Sequence, residues 1–142
     1  MGERRSGEGG NHLFVVNDTP EILELFTTLL EAEGYRVTTD RFTIELGEMM
    51  QRIRDLQPDL LVLDFLIGGE SHGWQLLQLV RMDRETRHIP AVVCTAAVGI
   101  VTELRPHLDE MGVAVVLKPF DIDHLLGVIA ERLKPIEEAA GA

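Results

Sequence analysis

Apolar residues in this chain gather in short runs separated by longer amphipathic stretches. Leu13-Phe14-Val15-Val16, Leu60-Leu61-Val62-Leu63, Ala91-Val92-Val93-Cys94 and Val113 to Leu117 are apolar without interruption. Runs of this length are too short for a typical helix, and apolar character on both faces suits strands buried inside a parallel sheet. Tyr35 to Thr39 alternates and is rich in β-branched residues, which predicts a further strand nearer the sheet edge. Between the runs, Ile22, Leu25, Phe26, Leu29 and Leu30 have the i, i+3, i+4, i+7, i+8 spacing of an amphipathic helix. Thr19 is placed to act as its N-cap, Pro20 as its first helical residue and Gly34 as its left-handed C-terminal cap. A second helical stripe is Leu46, Met49, Met50 and Ile53; a third, from Ser71 to about Asp83, is Trp74, Leu77 and Val80. Val101, Leu104 and Leu108 predict a fourth helix that Pro106 should kink or split and Gly112 should close. The last helix carries Ile122, Leu125, Leu126, Ile129 and Leu133, capped by Asp121 and stopped by Pro135. Five strands alternating with five helices predict a doubly wound α/β domain with a parallel sheet, because each crossover must be a right-handed βαβ unit.

With 142 residues, 45% of them hydrophobic, the chain is sized for one core. Residues 1–11, rich in Gly, Glu, Arg and Ser, read as a disordered tail, 12–134 as the domain, and 135–142 as a C-terminal tail or the start of a linker. Thirteen Lys and Arg against 24 Asp and Glu give a net charge of -11, which argues against nucleic acid or an anionic membrane surface as a direct partner. It suits a basic partner or a metal cation. No apolar run approaches a membrane span and the N-terminus lacks the apolar segment of a secretory signal, so a cytoplasmic location is expected. Cys94, flanked by Val93 and Thr95, reads as a buried strand thiol, and as the single cysteine it has no internal disulfide partner. Trp74, Met49 and Met50 read as core or partly covered helix positions, and His72 as a solvated loop residue.

The residues that end the apolar runs carry the candidate chemistry. Asn17-Asp18 follows the first run, Asp64 the Leu60–Leu63 run, Thr95 the next and Lys118 the last. In open parallel sheets ligands collect at the carboxyl ends of strands, so these side chains share one edge. Asp18 and Asp64 offer hard oxygen ligands for Mg²⁺, completed by a backbone carbonyl just after Asp64 and by waters. Lys118 offers a point charge and Thr95 a hydroxyl to phosphoryl oxygens, and the Asp64 carboxylate is an oxygen nucleophile able to form an acyl phosphate. A plainer reading stands beside this one, with Asp18 as a helix cap and Lys118 as an ion-pair partner.

The order Val-Val-Asn17-Asp18, Leu-Val-Leu-Asp64, Val-Cys-Thr95-Ala96 and Val-Leu-Lys118-Pro119-Phe120 resembles the receiver domain of two-component response regulators. The resemblance implies a CheY-like, flavodoxin-like sheet of strand order 2-1-3-4-5. It implies phosphorylation of Asp64 by a histidine kinase or a histidine phosphotransfer protein, with Mg²⁺ held by Asp18, Asp64 and the Leu66 carbonyl. Thr95 would then move to the phosphoryl group and shift a surface formed by the fourth helix, fifth strand and fifth helix, where a downstream protein target of unknown identity would bind. A homodimer is compatible with this scheme, and the Lys118-Pro119 bond would be cis. The module would take part in its own phosphotransfer without being a dedicated enzyme.

Four departures from the family pattern carry expectations. Asn17 stands where a second acid is usual and would contact the metal through water, giving weaker Mg²⁺ binding. Ile67-Gly68-Gly69 replaces the frequent Met-Pro, and Gly73 falls one residue late. Val115 occupies the aromatic switch position. Leu66 and Ala97 are both apolar and could not orient an attacking water, which predicts a long-lived phosphoryl group. A degenerate receiver acting as a phosphorylation-independent binding or dimerisation module is the alternative. A metal-dependent phosphatase using Asp64 is disfavoured, because Leu66 cannot serve as general acid.

Overall fold

The computed structural model describes residues 10–133 apart from positions 43, 68 and 120; the expectations for 1–9 and for the tail 135–142 lie outside the described residues. The elements are β1 (His12–Val16), α1 (Pro20–Ala32), β2 (Arg36–Asp40), α2 (Leu46–Leu56), β3 (Leu60–Leu63), α3 (His72–Met82), β4 (Ala91–Thr95), α4 (Val98–Met111), β5 (Ala114–Leu117) and α5 (Ile122–Arg132). All strands are parallel, in the order β2-β1-β3-β4-β5. This is the doubly wound sheet expected from the sequence, with β2 and β5 at its edges.

The two faces of β1, β3 and β4 feed two separate cores, and β5 adds to both. Leu13, Val15, Leu60, Val62, Val92, Cys94 and Val116 pack under α1 and α5, against Leu23, Phe26, Leu30, Leu125 and Ile129. Phe14, Val16, Leu61, Leu63 and Val93 face the other way, toward Met49, Ile53, Leu76, Val80, Val101 and Leu108 of α2, α3 and α4. The period-2 alternation of a strand, applied to an unbroken apolar run, produces this double covering. Burying one such Leu or Phe contributes about 2 kcal/mol. Trp74 meets Phe65 edge-on, with ring centroids 5.9 Å apart.

One helix cap and one predicted split depart from expectation. Thr19 occupies the N-cap position of α1, but its side chain makes no capping hydrogen bond; the Thr19 hydroxyl instead donates to Asp18 Oδ1 at 3.4 Å. Pro106 neither ends nor divides α4, which runs unbroken through it. Pro106 and Thr102, the residue whose carbonyl it cannot satisfy, both lie on the exposed side, where water can take that carbonyl, while Val101 and Leu108 anchor the buried side. Gly112 closes α4 at φ +68°, and Asp121 caps α5 by accepting the His124 amide at 3.2 Å, both as the sequence predicts. β2 begins one residue later than expected.

Two arginines fix the C-terminal end of α4. Arg81 of α3 donates to the carbonyls of Met111 at 3.0 Å and Ile89 at 2.6 Å, and Arg132 of α5 donates to that of Gly112 at 3.1 Å.

Candidate functional site

The register places the strand-end residues along one edge. Val16 pairs with Leu63 and Leu63 with Val93, so Asn17 and Asp64 leave neighbouring strands at the same level. Thr95 pairs with Leu117, and its carbonyl accepts the Lys118 amide at 2.9 Å, which ties the ends of β4 and β5 together. The central strand order explains the convergence: β3, the innermost strand, delivers Asp64 between the groups carried by β1, β4 and β5.

Asp64 is held from two sides. The Leu66 amide donates to Oδ1 at 3.1 Å, and Lys118 Nζ lies 3.3 Å from Oδ2. Lys118 and Asp64 are both partly buried, so their attraction is screened less than at an open surface. The Lys118-Pro119 bond is cis. Behind the carboxylate, Gly73 of α3 lies so close that a Cβ there would sit 1.6 Å from the Asp64 carbonyl oxygen. Its amide, with that of Trp74, donates to the Phe65 carbonyl. The late position of this glycine is absorbed by a tight turn in which Ile67 and Glu70 exchange both backbone hydrogen bonds, at 2.9 and 3.1 Å.

Asn17 and Asp18 leave β1 in a side-chain turn: Asn17 Oδ1 accepts the Thr19 amide at 2.9 Å, and Asp18 is exposed. The Asn17 amide donates to the carbonyl of Asp40 at 3.1 Å. Asp40 is a positioning residue that the sequence reading did not single out. It is buried at the end of the edge strand, accepts the Phe42 amide at 2.7 Å through Oδ1 and pairs with Arg52 of α2 through Oδ2. An acid closing an edge strand, followed by a helix with an exposed-side arginine, was the available signal. His72 opens α3 and is exposed, with its ring 5.7 Å from that of Phe42.

The buried Thr95 hydroxyl accepts the Ala97 amide at 3.1 Å, shaping the start of α4. Leu66 is 37% exposed. Cys94 lies beneath the site, and burial pushes its thiol up to about 12, with Lys118 opposing that shift and Asp64 adding to it. It is a packing residue, not a nucleophile. Among the described residues no cluster of three His, Cys, Asp or Glu side chains is placed to hold a metal. A hard, hydrated cation needs only one or two carboxylates with carbonyl, water and phosphoryl oxygens, and the oxygen-only set of Asp18, Asp64 and the Leu66 carbonyl fits that demand. Among the described residues no helix is long and apolar enough to cross a membrane.

Residues 13–130 match the family model described as response regulator receiver domain. The chain is 28% identical over 127 residues to the DNA-binding response regulator MtrA of Mycolicibacterium smegmatis, covering 89% of this chain and 52% of that protein. It is 32% identical over 120 residues to the phosphate regulon transcriptional regulatory protein PhoB of Rhizobium meliloti, covering 84% and 51%. The chain thus spans about half the length of these curated relatives. Among solved structures, the N-terminal domain of a response regulator receiver protein from Methanoculleus marisnigri superposes with a TM-score of 0.61 at 28% identity, over 88% of this chain and 98% of that one.

Proposed function

Because this chain belongs to the response regulator receiver domain family, we propose that Asp64 accepts a phosphoryl group from a phosphohistidine of a histidine kinase or phosphotransfer protein. An Asp64 oxygen bonds to phosphorus as the donor's N–P bond breaks, and the imidazole leaves. The observation that carries this reading is Lys118 Nζ at 3.3 Å from Asp64 Oδ2 at the carboxyl edge of the sheet. Leu66 N–H orients the carboxylate, and Lys118 offsets the charge that three phosphoryl oxygens bring. Asp18, Asp64 and the Leu66 carbonyl would hold Mg²⁺, with Asn17 contributing through water; the ion supplies charge neutralisation at the phosphoryl oxygens. Thr95, whose hydroxyl accepts the Ala97 amide at the root of α4, would respond to the new charge and pass it to a protein-binding surface.

Intact mass after incubation with acetyl phosphate and Mg²⁺ tests this, with Asp64→Ala and an EDTA control alongside. One phosphoryl group that needs both metal and Asp64 supports the reading. No adduct on a folded chain, and no response to beryllofluoride, favours a second reading: a binding module that works without phosphorylation. Asn17 in place of an acid and Val115 in place of an aromatic are the observations that motivate it.

A further inference from the structure

Among the described residues Asp40 is the only carboxylate that is buried, with 7% of its surface exposed. A buried charge is costly unless it is paired and hydrogen-bonded, and Asp40 is tied to three neighbouring segments. Oδ2 pairs with Arg52 of α2, Oδ1 accepts the Phe42 amide at 2.7 Å, and the backbone carbonyl accepts the Asn17 amide at 3.1 Å.

Two of these links lead toward the phosphoryl site from different sides. Through its carbonyl, Asp40 holds the backbone of Asn17, whose Oδ1 is itself committed to the Thr19 amide. Both groups of Asn17 are therefore tied into the turn, and the placement of Asp18, the next residue, follows from it. Through Oδ1, Asp40 holds Phe42 at φ +62°, a left-handed conformation that a bulky residue rarely adopts. Such backbone persists only where its surroundings over-determine it. Here it sets the Phe42 ring 5.7 Å from that of His72, the first residue of α3. His72 precedes Gly73, which packs so closely on the Asp64 carbonyl that it admits no Cβ. One buried carboxylate thus braces both the turn that carries Asp18 and the helix start that backs Asp64.

We propose that Asp40 is a positioning residue for the metal: it sets the separation of Asp18 and Asp64, and so the affinity for Mg²⁺, without being a ligand itself. This rests on the reading of those two carboxylates as Mg²⁺ ligands. Mg²⁺ demands near-ideal octahedral geometry, so a displacement of either carboxylate weakens binding. With asparagine at position 17, Asp18 is the single acid of its turn, and a displacement there is not shared with a second carboxylate.

Titration of the full chain with Mg²⁺ alone, followed by NMR amide shifts around Asp64, tests this with no phosphodonor present. Asp40→Ala removes both side-chain links and should raise the dissociation constant about tenfold, as when groups behind metal ligands are lost elsewhere. Asp40→Asn keeps an oxygen for the Phe42 amide but loses the ion pair, and should raise it about threefold. Thr86→Val is the control, because Thr86 is buried and its hydroxyl donates to the Val80 carbonyl at 2.8 Å, at the opposite edge of the sheet. That variant should lower the urea midpoint and leave Mg²⁺ binding unchanged, which separates positioning from a merely structural role. With acetyl phosphate added, the Mg²⁺ concentration for half-maximal phosphorylation should rise in step with the dissociation constant in the Asp40 variants. The rate at saturating Mg²⁺ should stay within about twofold of wild type. Wild-type affinity in Asp40→Ala, or in Asp40→Asn should the alanine variant not fold, overturns the proposal and leaves the metal site intact. So does an equal loss of affinity in Thr86→Val, or a rate lost at saturating Mg²⁺ with the dissociation constant unchanged. A wild type that takes up no Mg²⁺ overturns the proposal together with the reading it rests on.

Discussion

Lys118 and Asp64 stand 54 positions apart in the sequence, yet Nζ and Oδ2 meet at 3.3 Å because β3 and β5 both end at the same edge of the sheet. Replacing Lys118 by Met keeps the length of the side chain and removes its charge. Phosphoryl transfer from acetyl phosphate to Asp64 should slow by about tenfold or more, since a positioned cation at developing phosphoryl charge is a large catalytic contribution. Stability to urea should change by only about 1 kcal/mol or less, as expected for a partly exposed pair. An unchanged rate in the intact-mass time course would remove Lys118 from the site.

Gly73 and Gly127 should respond in opposite directions to the same substitution. Gly73→Ala drives a methyl group into the Asp64 carbonyl, which is backbone and cannot step aside. A loss of about 3 kcal/mol in urea unfolding is expected, together with impaired phosphorylation of Asp64. Gly127→Ala meets nothing and should stabilise the chain by about 0.5 to 1 kcal/mol.

Leu66 and Ala97 flank the edge where a phosphoryl group on Asp64 would stand, and neither side chain can bind the water needed to hydrolyse it. A phosphoryl group formed on Asp64 should persist well beyond seconds in a phosphate-release assay. Leu66→Asn, which brings an amide to this exposed position, should shorten its half-life several-fold. Equal half-lives in the two proteins would show that Leu66 has no part in protecting it.

His12 gives the fold a dependence on pH. Burial, and secondarily the charge of Arg36, hold the imidazole below its ordinary value of 6.5, with Asp59 opposing them; its Nε2 is 2.6 Å from Thr38 Oγ1. The unfolded chain therefore takes up a proton first as pH falls. The stability that depends on neutral His12 is complete above 6.5 and is lost as pH falls through the folded value. The urea midpoint should drop between neutral pH and the region below 6.5, and His12→Gln should flatten that part of the profile.

The unbroken apolar runs made β1, β3 and β4 legible, because a strand buried on both faces has no alternation to misread. The residue closing each run made the candidate site legible, because parallel strands deliver their last residues to one edge. Three features were not legible, for reasons that lie outside local pattern. Asp40 acquires its position from the Asn17 amide once β2 docks on β1, from Arg52 once α2 packs beside β2, and from the Phe42 amide two residues on. The helix α4 runs through Pro106 because the break falls on the wet side, which depends on how α4 is rotated against the sheet. The Ile67–Glu70 turn could not be foreseen from a glycine pair, since glycine permits many turns and selects none.

Arg81 and Arg132 reach the same end of α4 from opposite flanks, at Met111 and Gly112, whereas the other end begins at Ala97 without a side-chain cap. A helix secured this way is tied to its neighbours at one end and held at the other by the burial of Val101 and by the Thr95 hydroxyl on the Ala97 amide. Its fourteen residues span about 20 Å, so a displacement of that hydroxyl would be felt first at Val98 and Ile100 and last at Met111.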